Sequence, residues 1–287
     1  MTTSSSRQLT TLLTGLDFGE GPRWHDGRLW FSDFFRYGVF TVDERGVEER
    51  ILTVEGRPSG IGWLPDGTML VVSMADRRLL RVADGQASTY VDLAAYSAYD
   101  CNDLVVGPDG TAYVSIFGFD LHAEPPMEPR PTHLIVVSPD GSVRVTEDEL
   151  WFPNGAVITS DGTMLIVGES FGRRYSAFRL DSTGMPIDRR VWAELGSRVP
   201  DGCCLDAEGA IWFADPVNRA VTRVAEGGEV LEEIPTEQSA VACALGGDDR
   251  KTLFVLTSKG TNPARVAGTA TGRIEMTRVD IAGVGLP

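Results

Sequence analysis

One pattern recurs six times along the chain: an acidic residue, a glycine, then a short apolar run. It reads Asp26-Gly27 before Arg28-Leu29-Trp30-Phe31, Asp66-Gly67 before Thr68-Met69-Leu70-Val71, and Asp109-Gly110 before Thr111-Ala112-Tyr113-Val114. It returns as Asp161-Gly162 before Thr163-Met164-Leu165-Ile166 and Glu208-Gly209 before Ala210-Ile211-Trp212-Phe213. A degenerate copy, Asp249-Arg250, precedes Lys251-Thr252-Leu253-Phe254. Asp-Gly supplies the positive φ angles of a tight hairpin turn, and the β-branched and aromatic residues after it favour a strand. The turn positions 27, 67, 110, 162, 209 and 250 are spaced 40, 43, 52, 47 and 41 residues apart. That period is the size of a four-stranded propeller blade. The expectation is an all-β fold: a six-bladed β-propeller with four-stranded blades. The 287 residues would suggest two domains at ~150 residues each, but a regular repeat argues for one. The expected organisation is an N-terminal extension over 1–14 and a single propeller over 15–287. A two-sheet sandwich would give no reason for the period.

Composition narrows the function classes. The net charge of −15 leaves no basic footprint for nucleic acid or for anionic lipid. No apolar run reaches the length of a membrane span, and the first residues carry no apolar secretory segment. Neither nucleic acid nor membrane is an expected partner, the expected location is cytoplasmic, and no oligomeric state follows. Cys101, Cys203, Cys204 and Cys243 have no zinc-knuckle spacing and read as reduced, buried thiols.

Repeats allow equivalent positions to be compared within one chain. Eight residues before each turn stand Gly19 (with Glu20 next to it), Ser59, Asn102, Asn154, Asp201 and Ala242. Equivalent positions of a propeller lie on a ring, and these open the strand expected to be innermost. Glu20, Asn102, Asn154 and Asp201 can therefore converge although far apart in sequence. Two carboxylates and two carboxamides offer only oxygen, the chemistry of a hard-cation site. Pro153-Asn154-Gly155 and Pro200-Asp201-Gly202 fix the backbone on both sides of the aimed side chain.

At these residues the sequence resembles the senescence-marker-protein (regucalcin) and gluconolactonase-like family. The resemblance rests on Gly19-Glu20-Gly21-Pro22-Arg23-Trp24, Asn102-Asp103, Phe152-Pro153-Asn154-Gly155, Pro200-Asp201-Gly202-Cys203-Cys204-Leu205-Asp206 and Gly246-Gly247-Asp248-Asp249. It covers roughly residues 15 to 280. It implies one divalent metal near the axis, held by Glu20, Asn154 and Asp201, with Ca²⁺ foremost and Zn²⁺, Mn²⁺, Mg²⁺ or Fe²⁺ as alternatives. It also implies hydrolysis of a small lactone or ester by metal-activated water. Asp201 is the expected general base, with Asp103 second to it, and Asn102 orients the substrate. Family members often carry an arginine where this chain has Asp100, so the guanidinium that would grip sugar hydroxyls is expected to be missing. The substrate-binding set is then Asn102, Asp100 and Asp103, with Phe34, Phe35, Phe117, Phe119, Trp151 and Phe171 as candidate apolar walls. A less polar lactone than gluconolactone is the expected substrate. The alternatives are an organophosphate or phosphotriester hydrolase on the same metal site, or a non-catalytic calcium-binding propeller.

The remaining candidates carry less. His25, His122 and His133 follow no metal spacing. The proline-rich segment 117–132 reads as a loop that either overhangs one face or decorates the surface. Gly168-Glu169-Ser170-Phe171-Gly172 matches the nucleophile-elbow pattern, but no helix pattern follows it, so Ser170 is not read as a nucleophile.

Overall fold

The computed structural model describes residues 7–284. It is all-β apart from one four-residue helix, Pro263–Val266, and its 24 strands form six four-stranded antiparallel sheets. In five sheets the strands follow one another in sequence order. The first blade, for example, comprises Gly19–His25, Arg28–Asp33, Gly38–Val42 and Glu48–Thr53. The later blades span 58–92, 101–145, 153–194 and 203–235. The first strand of each blade packs against the first strand of the next, and the ring closes from the sixth blade, whose first strand is Ser239–Gly246, back to Gly19–His25. These innermost strands are the ones that the ring position was expected to open.

The sixth blade is built from both ends of the chain. Thr10–Leu16 pairs with Gly272–Arg278 and completes the sheet as its outermost strand. The extension expected over 1–14 therefore contains most of a blade strand. Its pairing partner lies more than 250 residues later, where no local pattern reveals it.

Turns form at the expected positions, but at Gly67, Gly110, Gly162 and Gly209 only the glycine takes a left-handed conformation, and the first copy alone has both residues there. Asp26 (φ 49°) and Gly27 (φ 73°) both take left-handed conformations, the signature of a two-residue hairpin. In the degenerate sixth copy Arg250 itself takes φ 56°.

The core is divided among the blade interfaces. Six buried apolar clusters each join two neighbouring blades. Leu70 and Val72 of blade two meet Leu104 and Val114 of blade three, while Phe254 and Leu256 of blade six meet Leu29 and Phe31 of blade one. Both faces of the inner strands are thus covered, and runs such as Met69–Ser73 are buried throughout. This is why the strands read as continuous apolar stretches rather than alternating ones. The four cysteines are free and buried within these interfaces.

Candidate functional site

Five inner strands share one irregularity. The register slips between Glu20 and Arg23, Pro58 and Ile61, Cys101 and Leu104, Pro153 and Ala156, and Ala240 and Ala242. A bulge bends a strand and re-aims a side chain. Here the bulges coincide with the ring position, and in blade five Asp201 lies just before the strand Cys203–Leu205. Glu20, Asn102, Asn154 and Asp201 accordingly line one cavity of about 90 Å³.

Hydrogen bonds order the floor of this cavity. Asn102 donates from Nδ2 to Asn154 Oδ1 at 3.4 Å and accepts from Ser59 Oγ at 3.2 Å. Asn154 donates from Nδ2 to Ser170 Oγ at 3.2 Å, and Ser170 donates to the Pro200 carbonyl at 2.6 Å. Ser170 is therefore a positioning residue for Asn154, a role that the motif reading missed. Hairpin register alone did not mark it: Glu169 pairs with Pro153 and the Ser170 N–H donates to the Phe152 carbonyl, and only the bulge after Pro153 brings the Asn154 side chain to Ser170. Glu169, wholly buried, accepts from the Trp151 backbone N–H and from Arg174, Ser176 and Arg189, and so braces the segment leading into Asn154.

The carboxylates are short of positive charge. Among the described residues neither Glu20 nor Asp201 has a basic side chain within ion-pair distance. Burial, with the charges of Asp201 and Asp103, raises Glu20 well above its ordinary value. Burial pushes Asp201 up to about 8, against a hydrogen bond from Asn154 and with the Asp103 charge adding to the rise. Two crowded carboxylates that resist ionisation are the environment in which a bound cation is stabilising. No three His, Cys, Asp or Glu side chains come together as a metal cluster among the described residues; two carboxylates flanked by carboxamides still match the oxygen chemistry of a hard cation.

Asp103 departs from expectation. Its Oδ1 accepts from Arg23 Nη2 at 3.1 Å and from the Leu104 N–H at 2.7 Å, and it is absent from the cavity wall. The physical reason is its place after the ring residue. Glycine follows Glu20, Ser59, Asn154 and Asp201, where the chain presses on the next blade. In blade three Asp103 occupies that position, and its side chain is held by buried Arg23.

Asp100 does line the cavity, and a guanidinium accompanies it. Arg57 Nη2 donates to Asp100 Oδ2 at 2.6 Å. The expected absence of a guanidinium is thus corrected: it comes from blade two. The equivalence was readable, since Arg57 stands two residues before Ser59 as Asp100 stands two before Asn102. Phe18 and Phe152 hold the same place before Glu20 and Asn154, and all four line the cavity.

Phe34, Phe35 and Phe117 join the apolar wall as expected. Phe119 lines a second cavity of about 450 Å³ that shares Arg57, Asp100, Phe117, Leu121 and His122 with the first. Trp151 and Phe171 line neither of the two, and both are over 40% exposed. The first part of segment 117–132 thus contributes to the walls. Gly118 packs on the Arg130 carbonyl as the loop doubles back. Partial burial pulls the His122 imidazole below its ordinary value, with the Asp120 charge opposing and the Arg57 charge assisting. His25 stacks on Trp63 with ring centroids 4.0 Å apart, and neither it nor His133 lines these cavities. No helix among the described residues is long and apolar enough to cross a membrane.

Known proteins are similar to this chain in sequence and in fold. The chain is 28% identical over 281 residues to regucalcin of Bos taurus, covering 93% of this chain and 92% of that protein. It is 26% identical over 288 residues to a gluconolactonase of Zymomonas mobilis, covering 88% and 80%. The fold superposes on a calcium-binding regucalcin of Agrobacterium tumefaciens with a TM-score of 0.80 at 21% identity, covering 98% and 95%. The profile of the SMP-30/Gluconolactonase/LRE-like region matches residues 18–259, which spans five blades and the ring position of the sixth. With six blades closed around that ring, the chain belongs to the SMP-30/gluconolactonase/LRE-like family.

Proposed function

We propose that this protein is a hydrolase that opens a lactone, using one divalent cation held by Glu20, Asn154 and Asp201. The observation that carries this reading is the convergence of two carboxylates and two carboxamides, from four blades, on one cavity floor with no basic side chain paired to either acid. The membership of gluconolactonases in the same family supports it.

A divalent cation bound there would supply positive charge to polarise an ester carbonyl and acidify a water molecule. The chain's own residues do the rest. Asp201, kept ionised by a neighbouring cation, receives the proton from the attacking water, which that charge would have made more acidic. Asn102, which lines the cavity and donates from Nδ2 to Asn154, orients the ester oxygen. Phe18, Phe34, Phe35, Phe117 and Phe152 form an apolar wall that excludes bulk water and fits the carbon face of the ring. The Arg57–Asp100 pair supplies polar contacts at one side of that wall, so the substrate carries both an apolar face and a polar substituent.

The test is a screen of sugar, aliphatic and aromatic lactones with metal-stripped protein, followed by separate addition of Ca²⁺, Mg²⁺, Mn²⁺ and Zn²⁺. The stripped protein is expected to be inactive and one cation to restore turnover. Asp201→Ala and Asn154→Ala should lose metal binding by calorimetry and cut kcat/KM by about 10³-fold or more. Undiminished lactone opening by either variant, or by the stripped protein, would sink the assignment.

A further inference from the structure

Among the described residues, the wall of the outer cavity holds one arginine, Arg77, that has no carboxylate within ion-pair distance. Arg57 and Arg77 both line this space of about 450 Å³. Arg57 gives a single hydrogen bond to Asp100, which leaves its Nε and Nη1 donors for other use. Arg77 donates only to the Ser97 carbonyl, at 3.3 Å, and has no carboxylate within ion-pair distance among the described residues. The other acid in the wall, Asp120, turns an oxygen onto the His122 backbone N–H at 2.9 Å. Both arginines are partly buried, so their charge is less screened than that of a surface side chain. They sit at left-handed backbone positions (φ 65° and 52°) on either side of the buried Met74, whose backbone bonds to both of theirs. Their starting points are therefore fixed. Arg57 also lines the inner cavity beside Asn102, and Arg77 lies only in the outer one.

We propose that the outer cavity is a subsite for an anionic oxygen group, a carboxylate, sulfonate or phosphate, carried by the substrate on the side away from its ester. Arg77 is the principal anion-binding group, and Arg57, held in aim by Asp100, is the second donor. The proposal rests on the lactone reading of the inner cavity and adds the class of substituent. The net charge of −15 works against long-range capture of anions, so discrimination comes from contact within the cavity and weakens as salt is added.

The test uses two δ-lactones that differ only in a side-chain terminus, carboxylate against carboxamide. Full-length protein loaded with its activating cation is expected to favour the carboxylate by about tenfold or more in kcat/KM, the range of a charge-assisted hydrogen bond. Arg77→Ala should collapse this ratio, Arg77→Lys should retain part of it, and Arg81→Ala, at an exposed position of the strand Arg78–Ala83, should leave it intact. A ratio near one in the unaltered protein, or a ratio unchanged in Arg77→Ala, overturns the subsite. If neither lactone is opened, the lactone reading has failed, and calorimetry then judges the subsite alone. Glutarate must bind more tightly than glutaramide, and Arg77→Ala must abolish the difference; equal binding overturns the proposal.

Discussion

Asn154 can present either end of its carboxamide to the cavity, and only the oxygen suits a cation. Ser170 bears on which. Its hydroxyl proton is committed to the Pro200 carbonyl, so its oxygen can only accept, and it accepts from Asn154 Nδ2. Oδ1 is thereby left towards Asn102 and the cavity. Ser170→Ala would weaken this choice, which the bond to Asp201 and the Asn102 donor also favour, while leaving every proposed ligand in place. Metal affinity should fall by about 10–100-fold, as for other groups that orient ligands, while the urea midpoint moves only by the worth of one hydrogen bond, about 1 kcal/mol. A calorimetric Ca²⁺ titration of the variant checks this, and an unchanged Kd would reduce Ser170 to a packing residue.

The inner strands explain which parts of this molecule were readable from sequence. Asp-Gly turns leave a local mark, so the blade period is visible without any tertiary information. The ring position is a fixed offset from those turns, so Glu20, Asn102, Asn154 and Asp201 could be grouped before their geometry was known. Asp103 is held by Arg23 rather than lining the cavity, because the position after the ring residue is governed by the neighbouring blade. A Cβ on Gly60 would lie 2.2 Å from Leu104 N, one on Gly155 2.5 Å from Asp201 O, and one on Gly202 2.6 Å from Ala242 Cβ. Arg57 lay in plain register with Asp100, but its meaning depends on a side chain crossing from one blade to the next. These glycines also let the strands close tightly enough for the acids to meet. Gly155→Ala puts a methyl group against backbone of the strand entry that carries Asp201, with nothing flexible to yield. Overpacking of this kind costs about 1–3 kcal/mol. The expected outcome is a lowered urea midpoint together with weakened metal binding, since relief of the clash must move Asp201. A variant with native stability and native Ca²⁺ affinity would show that the blades can separate without disturbing the site.

A ring of blades is only as strong as its last seam, and here that seam lies between the two ends of the chain. Thr10–Leu16 is hydrogen-bonded to Gly272–Arg278. Leu16 is wholly buried in the cluster shared by blades six and one, with Leu12 and Leu13 packed against it. Asp17 accepts from the Gly268 and Ala270 N–H groups at 2.8 Å each, and Arg7 pairs with Glu232 on blade five at 2.7 Å. Every other blade closes through local hairpins; this one closes only when the whole chain has been gathered. Burying one leucine fully and two in part is worth about 5 kcal/mol at ~1.5–3 kcal/mol for each full side chain, before counting the backbone bonds. A domain's entire stability is about 5–15 kcal/mol, so deletion of residues 1–16 should take the protein to the edge of folding. The blades would retain strand content by circular dichroism because their hairpins are local. The cooperative urea transition should broaden or vanish, and metal binding should go with it, because Glu20 and Asp201 depend on the same closed ring. A sharp transition with Ca²⁺ affinity intact in the truncated chain would mean that five complete blades and a three-stranded sixth hold the ring unaided.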